Sequence, residues 1–344
     1  MRKLLLFLFS CLLLFVGYTL QSTGFFRTIN VNSPNKIIAH IPLKGAEDIV
    51  IDQEGHFAII SATNRESYPP TKPETGGLYY IDLEDANFTP IDLTASLPFT
   101  FAPHGIDMFK LSDSTYQILA INHVNKQHSI EQFILNGTQL THLETHSDKS
   151  MVQPNDLVII SPDEFYFTND HGYTKGLGKI VEEYSGMALS NVVHVKQKKY
   201  VQAATGIAYA NGIAHDKKRE LLYVASPRQF NVSVYRRAAD ASLQLIEKIP
   251  TKTGVDNLTV DDSGNLWVGA HPNLLRFQAY AMGKYAIAPS EIILINYQSE
   301  GQYAVESIWV DDGEKMSGAT VAVPYQDWVL VGNVMDDHFL ILEQ

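Results

Sequence analysis

Cysteine is almost missing from this sequence: its one copy, Cys11, lies inside the leading apolar stretch. The rest of the chain therefore has no internal disulfide, no thiolate zinc cluster and no cysteine nucleophile. Charge is scarce too, at 19% of residues, and no run of Lys or Arg interrupts an acidic balance with a formal net charge of −12. Such a chain makes a poor partner for nucleic acid, whose phosphates call for basic clusters. Also absent is a G-x-S-x-G turn, the strained elbow that presents a serine nucleophile.

What is present is the composition of a packed protein. Hydrophobic residues make up 45% of the chain, with 17 Tyr and 16 Phe spread along it, which excludes a disordered chain. The 344 residues exceed the usual domain of ~100–200, yet all-β rings and barrels use this length for one domain. At the front, 23 consecutive uncharged residues from Leu4 to Phe26 follow Arg2 and Lys3. As a helix rising ~1.5 Å per residue, that run crosses a ~30 Å hydrocarbon core. Residues 1–26 read as a signal peptide or an uncleaved signal anchor, and no small-x-small cleavage pattern decides between them. Arg2 and Lys3 favour a cytoplasmic N-terminus. The remainder is then extracytoplasmic, either secreted or held to a membrane or lipid particle by residues 1–26.

One phrase recurs through residues 27–344: a small polar or acidic head, an apolar alternation, a turn of Asp, Gly, Asn or Pro, and a second apolar strand. Its copies begin at Glu47, His104, Asn155, Asn211, Asp256 and Ser317, 45 to 61 residues apart. Period-two alternation around turn residues marks a hairpin, and this spacing suits four short strands per unit. The expected fold is all-β, a six-bladed β-propeller with four-stranded blades behind an N-terminal hydrophobic segment.

In a propeller, equivalent positions of successive blades face one central channel. The repeat heads therefore converge: Glu47 and Asp48, His104, Asn155 and Asp156, Asn211, then Asp256 and Asn257, with the Ser317 copy alone lacking a carboxylate, amide or imidazole. Carboxylates crowded together are costly unless a cation neutralises them. A donor set of hard oxygens, without thiolate, suits Ca²⁺ better than zinc, and it exceeds the six to eight or so oxygens that one ion takes. Two ions fit. For any single Asn or Asp, capping a turn is an equally good explanation; the register across blades is what favours a metal.

The body from about Ile41 onward resembles the paraoxonase/arylesterase family of calcium-dependent lactonases. The resemblance rests on AEDIVI (46–51), PHGI (103–106), INH (121–123), PNDLV (154–158), TNDH (168–171), ANGI (210–213), VDNLTVD (255–261), LWVGAHPN (266–273) and SGATVA (317–322), in that order. It implies that Glu47, Asn155, Asn211, Asp256 and Asn257 bind a catalytic calcium. It further implies that Asp48, Asp156 and the backbone carbonyl of Ile106 hold a second, structural one. By the same resemblance His104 and His123 form a histidine pair, Tyr68 belongs to an active-site loop, and His271 and Thr320 line the pocket wall. The implied activity opens lactones and cleaves aryl esters: a metal-polarised carbonyl is attacked by water that His104, assisted by His123, deprotonates. Animal members tie the chain ends with a disulfide; here the C-terminal HFLILEQ must close the ring by strand pairing. His171 reads as structural support, and His56, His128, His142, His146, His194 and His215 as ordinary surface or core residues. Two rivals are a gluconolactonase-like propeller with one divalent ion acting on sugar lactones, and a propeller that only binds.

Overall fold

A computed structural model describes residues 1–66, 72, 74–124 and 127–344. Among these residues the strands form six antiparallel four-stranded sheets. Blade 1 runs over 46–92, blade 2 over 103–146, blade 3 over 154–207, blade 4 over 213–250 and blade 5 over 254–311. Blade 6 takes three strands from 319–343 and its fourth from the N-terminal strand Ile37–Ile41, which pairs antiparallel with Phe339–Glu343. The expected propeller is thus observed, and ring closure falls on the C-terminal strand as anticipated.

The apolar alternation becomes a core in six parts, one between each pair of neighbouring blades. Blades 6 and 1, for example, bury Ile49, Ile60, Val323, Leu330 and Phe339 together. Trp309 of blade 5 packs on Met316, Val331 and Leu340 of blade 6. Since both faces of every sheet meet a neighbour, second strands such as Phe57–Thr63 and Leu221–Ser226 are buried from end to end, as expected of sheets covered on both sides.

The first strand of each blade lines the channel, and in every blade but the fourth the ladder breaks there at one recurrent place. Pairing with the second strand shifts between Ala46 and Asp48, Pro103 and Ile106, Pro154 and Leu157, Val255 and Leu258, and Ala319 and Val321. Bulges of this kind free residues from the ladder and re-aim them. Glu47, His104, Asn155, Asp256, Asn257 and Thr320 all sit inside these breaks. Gly105 and Gly212 let the inner strands approach closely: a Cβ on Gly105 would lie 2.6 Å from the Asn155 carbonyl oxygen, and one on Gly212 2.5 Å from that of Asp256.

Three helices complete the described chain. Helix α1 (Arg2–Ser22) is the apolar segment, long and apolar enough to cross a membrane and exposed except near its C-terminal end. That end is tied down. Thr19 Oγ1 donates to the Tyr184 carbonyl at 3.1 Å, Leu274 N to the Thr23 carbonyl at 2.9 Å, and Arg228 to the Ser22 carbonyl at 3.1 Å. Five residues on, Arg27 forms two 2.7 Å bonds to the buried carboxylate of Glu291. Helices α2 (Gly176–Ser185) and α3 (Leu274–Ala281) connect the second and third strands of blades 3 and 5. These connections leave on the same face as the heads of the inner strands.

Candidate active site

The bulges, together with Asn211 just ahead of blade 4's first strand, bring the repeat heads to one end of the channel, where they form two tiers. In the upper tier Glu47, Asn155, Asn211 and Asn257 are all buried. Each has a side-chain oxygen with no hydrogen-bond partner: Glu47 Oε2, Asn155 Oδ1, Asn211 Oδ1 and Asn257 Oδ1. Glu47, Asn155 and Asn257 have their other side-chain polar atoms engaged. Asn257 Nδ2 donates to Glu47 Oε1 at 3.0 Å, and Asn155 Nδ2 to Asp170 Oδ2 at 3.5 Å. Asp256 is held through Oδ2 by His271 Nε2 at 2.7 Å, and that imidazole stacks on Phe277 with centroids 3.7 Å apart. Unpartnered buried oxygens are rare and cost about 1–3 kcal/mol each. Four of them in one ring, beside a carboxylate, are what a hard cation would use. The donors are mostly amides; no three His, Cys, Asp or Glu side chains gather as a metal group among the described residues.

The lower tier is satisfied by backbone. Asp48 accepts from Ile49 N at 2.9 Å and from Ile106 N of the next blade at 2.8 Å. Asp156 accepts from Leu157 N and from Ile213 N of the next blade, both at 2.7 Å. Asp107, which the sequence reading passed over, repeats the pattern with Met108 N at 2.8 Å and Ile159 N at 2.6 Å. Each carboxylate staples its own strand to the following blade. Burial raises all three: Asp107 rises to about 7, Asp48 and Asp156 go well above the usual carboxylate range, and the charges of Glu47 and Asp48 add to the rise. Burial likewise lifts Glu47 and Asp256, against the opposing pull of Arg65 and His271 respectively. A cation between the tiers would relieve all of this.

At the rim stand the histidines. His104 heads blade 2 with Nδ1 3.8 Å from the unpaired Glu47 Oε2, and its ring meets that of His123 edge to face with centroids 5.1 Å apart. Two partners escaped the sequence reading. Buried Arg65 donates from Nη2 to His104 Nδ1 at 2.8 Å; because a guanidinium only donates, the hydrogen of neutral His104 sits on Nε2. Burial, reinforced by the Arg65 charge, lowers His104 to about 3. The second is His128, read as an ordinary residue, whose Nδ1 lies 2.7 Å from His123 Nδ1. Neither neighbour carries a motif; both are brought in by cross-strand or loop placement.

Thr320 spends its hydroxyl on the Glu47 carbonyl at 2.6 Å, joining blade 6 to blade 1. His171 pairs with Asp170 at 2.6 Å, supporting Asn155 from behind; burial opposes its charge, yet the Asp170 and Glu183 carboxylates raise it to about 9. Tyr68 lies outside the described residues.

The comparisons with known proteins agree with this architecture. The arylesterase family model matches residues 30–340. Serum paraoxonase/arylesterase 2 of Gallus gallus is 31% identical over 300 residues, covering 84% of this chain and 83% of its own length. Serum paraoxonase/arylesterase 1 of Homo sapiens is 31% identical over 301 residues with the same coverage, 84% and 83%. Serum paraoxonase/lactonase 3 of Oryctolagus cuniculus is 29% identical across 97% of both chains. Among solved structures, a putative gluconolactonase shares the fold with a TM-score of 0.56 at 12% identity, covering 92% of this chain and 97% of that one. With a family match spanning the whole ring and relatives aligned across most of its length, this chain belongs to the paraoxonase/arylesterase family.

Proposed function

We propose that this protein is a calcium-dependent hydrolase that opens lactones and cleaves aryl esters. The observation that carries the reading is the ring of four unpartnered buried oxygens on Glu47, Asn155, Asn211 and Asn257. Together with Asp256 they would hold one Ca²⁺; Asp48, Asp156 and the Ile106 carbonyl would hold a second below it. Bound in the upper ring, Ca²⁺ supplies a Lewis acid that polarises a carbonyl and steadies the negative charge arising on attack. The names of the relatives, paraoxonase, arylesterase and lactonase, support ester and lactone substrates.

The chain's own groups handle the proton. His104 faces the ring through Nδ1 and is kept neutral, so it can accept the proton of an attacking water at that atom once Arg65 withdraws. His123 packs on its ring and fixes its edge. Asp256 is held by His271 through Oδ2, which leaves its second oxygen free of that bond. Residues 1–26 would attach the enzyme to a membrane or lipid particle; deleting them should release a soluble, active protein, and a deleted form that stays membrane-bound would place attachment elsewhere.

The decisive experiment measures hydrolysis of γ-, δ- and acyl-homoserine lactones and phenyl acetate before and after EGTA treatment. Activity should vanish on stripping and return with Ca²⁺, and full activity in stripped protein would end the reading. In the same assay His104→Gln should lower turnover by roughly 10²–10⁴ while calcium affinity stays nearly unchanged.

A further inference from the structure

The histidine pair has a third member. His123 closes the strand Thr115–Val124 and stands directly opposite His128 on the strand Gln127–Asn136. Directly opposed residues are the closest cross-strand neighbours in an antiparallel ladder. The two rings stand perpendicular, at 90° with centroids 4.8 Å apart, and present Nδ1 to Nδ1 at 2.7 Å. Two bare nitrogens at that distance would repel, so one of them must carry the hydrogen.

The direction of this bond follows from the other side of His123. Its ring also donates to the Pro154 carbonyl, at the head of blade 3. A neutral imidazole has one N–H. The Pro154 contact and the 2.7 Å His128 contact are satisfied together when that hydrogen is on Nε2, so that His123 Nδ1 is bare and His128 Nδ1–H is the donor. His123 is neutral because burial penalises its charged form and the neighbouring His104 adds to the effect.

We infer that His128 is a positioning residue: its Nδ1–H donates to His123 Nδ1, fixing the tautomer and ring orientation of the imidazole against which His104 packs. The inference rests on the reading of His104 and His123 as the proton-handling pair. The bond an imidazole makes through one nitrogen sets the state of the other, and partners of this kind are worth roughly 10- to 100-fold in activity at comparable sites.

The test compares full-length, calcium-loaded wild type with His128→Asn, His128→Leu and His123→Gln. Asparagine places an N–H donor where His128 Nδ1 stands; leucine removes the donor and keeps the bulk. The ring nitrogens of ¹⁵N-histidine-labelled protein report the tautomer directly by NMR, and lactone hydrolysis gives kcat and KM. Wild type and His128→Asn should show His123 bare at Nδ1. His128→Leu should show mixed tautomers, with kcat down at least about tenfold and KM within about twofold; His128→Asn should recover most of that loss. An unchanged His123 tautomer in His128→Leu overturns the inference, whatever the rates. So does a His128→Asn variant no better than His128→Leu. If His123→Gln keeps wild-type turnover, the pair reading fails on its own, and the NMR tautomers still decide whether His128 positions His123.

Discussion

The two tiers of the channel share the inner strands of blades 1 and 3 and meet their hydrogen-bonding needs in opposite ways. Below, Asp48, Asp107 and Asp156 each accept two backbone N–H groups, one from their own strand and one from the next blade. Above, Glu47, Asn155, Asn211 and Asn257 each keep a buried oxygen with nothing to accept from. The lower tier is therefore part of the ring's framework, each carboxylate giving two of its lone-pair sites to the fold and keeping the rest. The upper tier is preorganised and incomplete, an arrangement suited to a ligand that arrives after folding.

The largest separation between the tiers should appear in melting curves across a calcium titration. Asp156→Ala leaves two buried N–H groups without an acceptor, at about 1–3 kcal/mol each, and a hundredfold weaker lower ion adds up to ~2.7 kcal/mol. Its Tm should fall far and depend steeply on added calcium. Asn211→Ala, which removes one neutral amide from the upper tier, should depress turnover with a smaller thermal shift. Asp107→Ala sharpens the contrast, because it loses the same kind of staple without a proposed ion ligand; its Tm should fall with little calcium dependence. Equal shifts for Asp156→Ala and Asn211→Ala would remove the distinction between tiers.

A smaller effect tests the rim of the upper tier. The Arg65 charge is, after burial, the main influence that lowers His104. In Arg65→Met the His104 pKa should rise toward its ordinary value, and a base that protonates more readily is lost at higher pH. The acidic limb of the kcat/KM profile should therefore move upward in pH. A limb that stays put, or moves down, would show that Arg65 does not govern the proton acceptor.

Much of the framework was legible in the chain because each blade repeats one short phrase, and in blades 1, 2, 3 and 5 its head falls where the ladder bulges. Glu47, Asn155 and Asp256 could be placed at the channel from register alone. Arg65 could not: it follows the strand Phe57–Thr63 in a polar stretch, and its contact with His104 comes from another blade. His128 depended on pairing register across a hairpin, where a one-residue slip would have turned it to the opposite face. Asp107 looked like one more polar position in an alternating strand; only the close packing of neighbouring inner strands gives it a second donor.

The strand Ile37–Ile41 has one further consequence, for biosynthesis. Its partner lies about three hundred residues downstream, with Ile37 opposite Leu342. A pairing so distant in sequence is slow to find and comes late. While the chain is being made, the first blades fold with this strand unpaired, and the sixth blade has no outer edge until Phe339–Glu343 has left the ribosome. Nascent chains and truncations that lack Phe339–Glu343 thus share one defect, an open ring with two bare sheet edges, and this one strand carries as much of the fold's integrity as any blade in its middle.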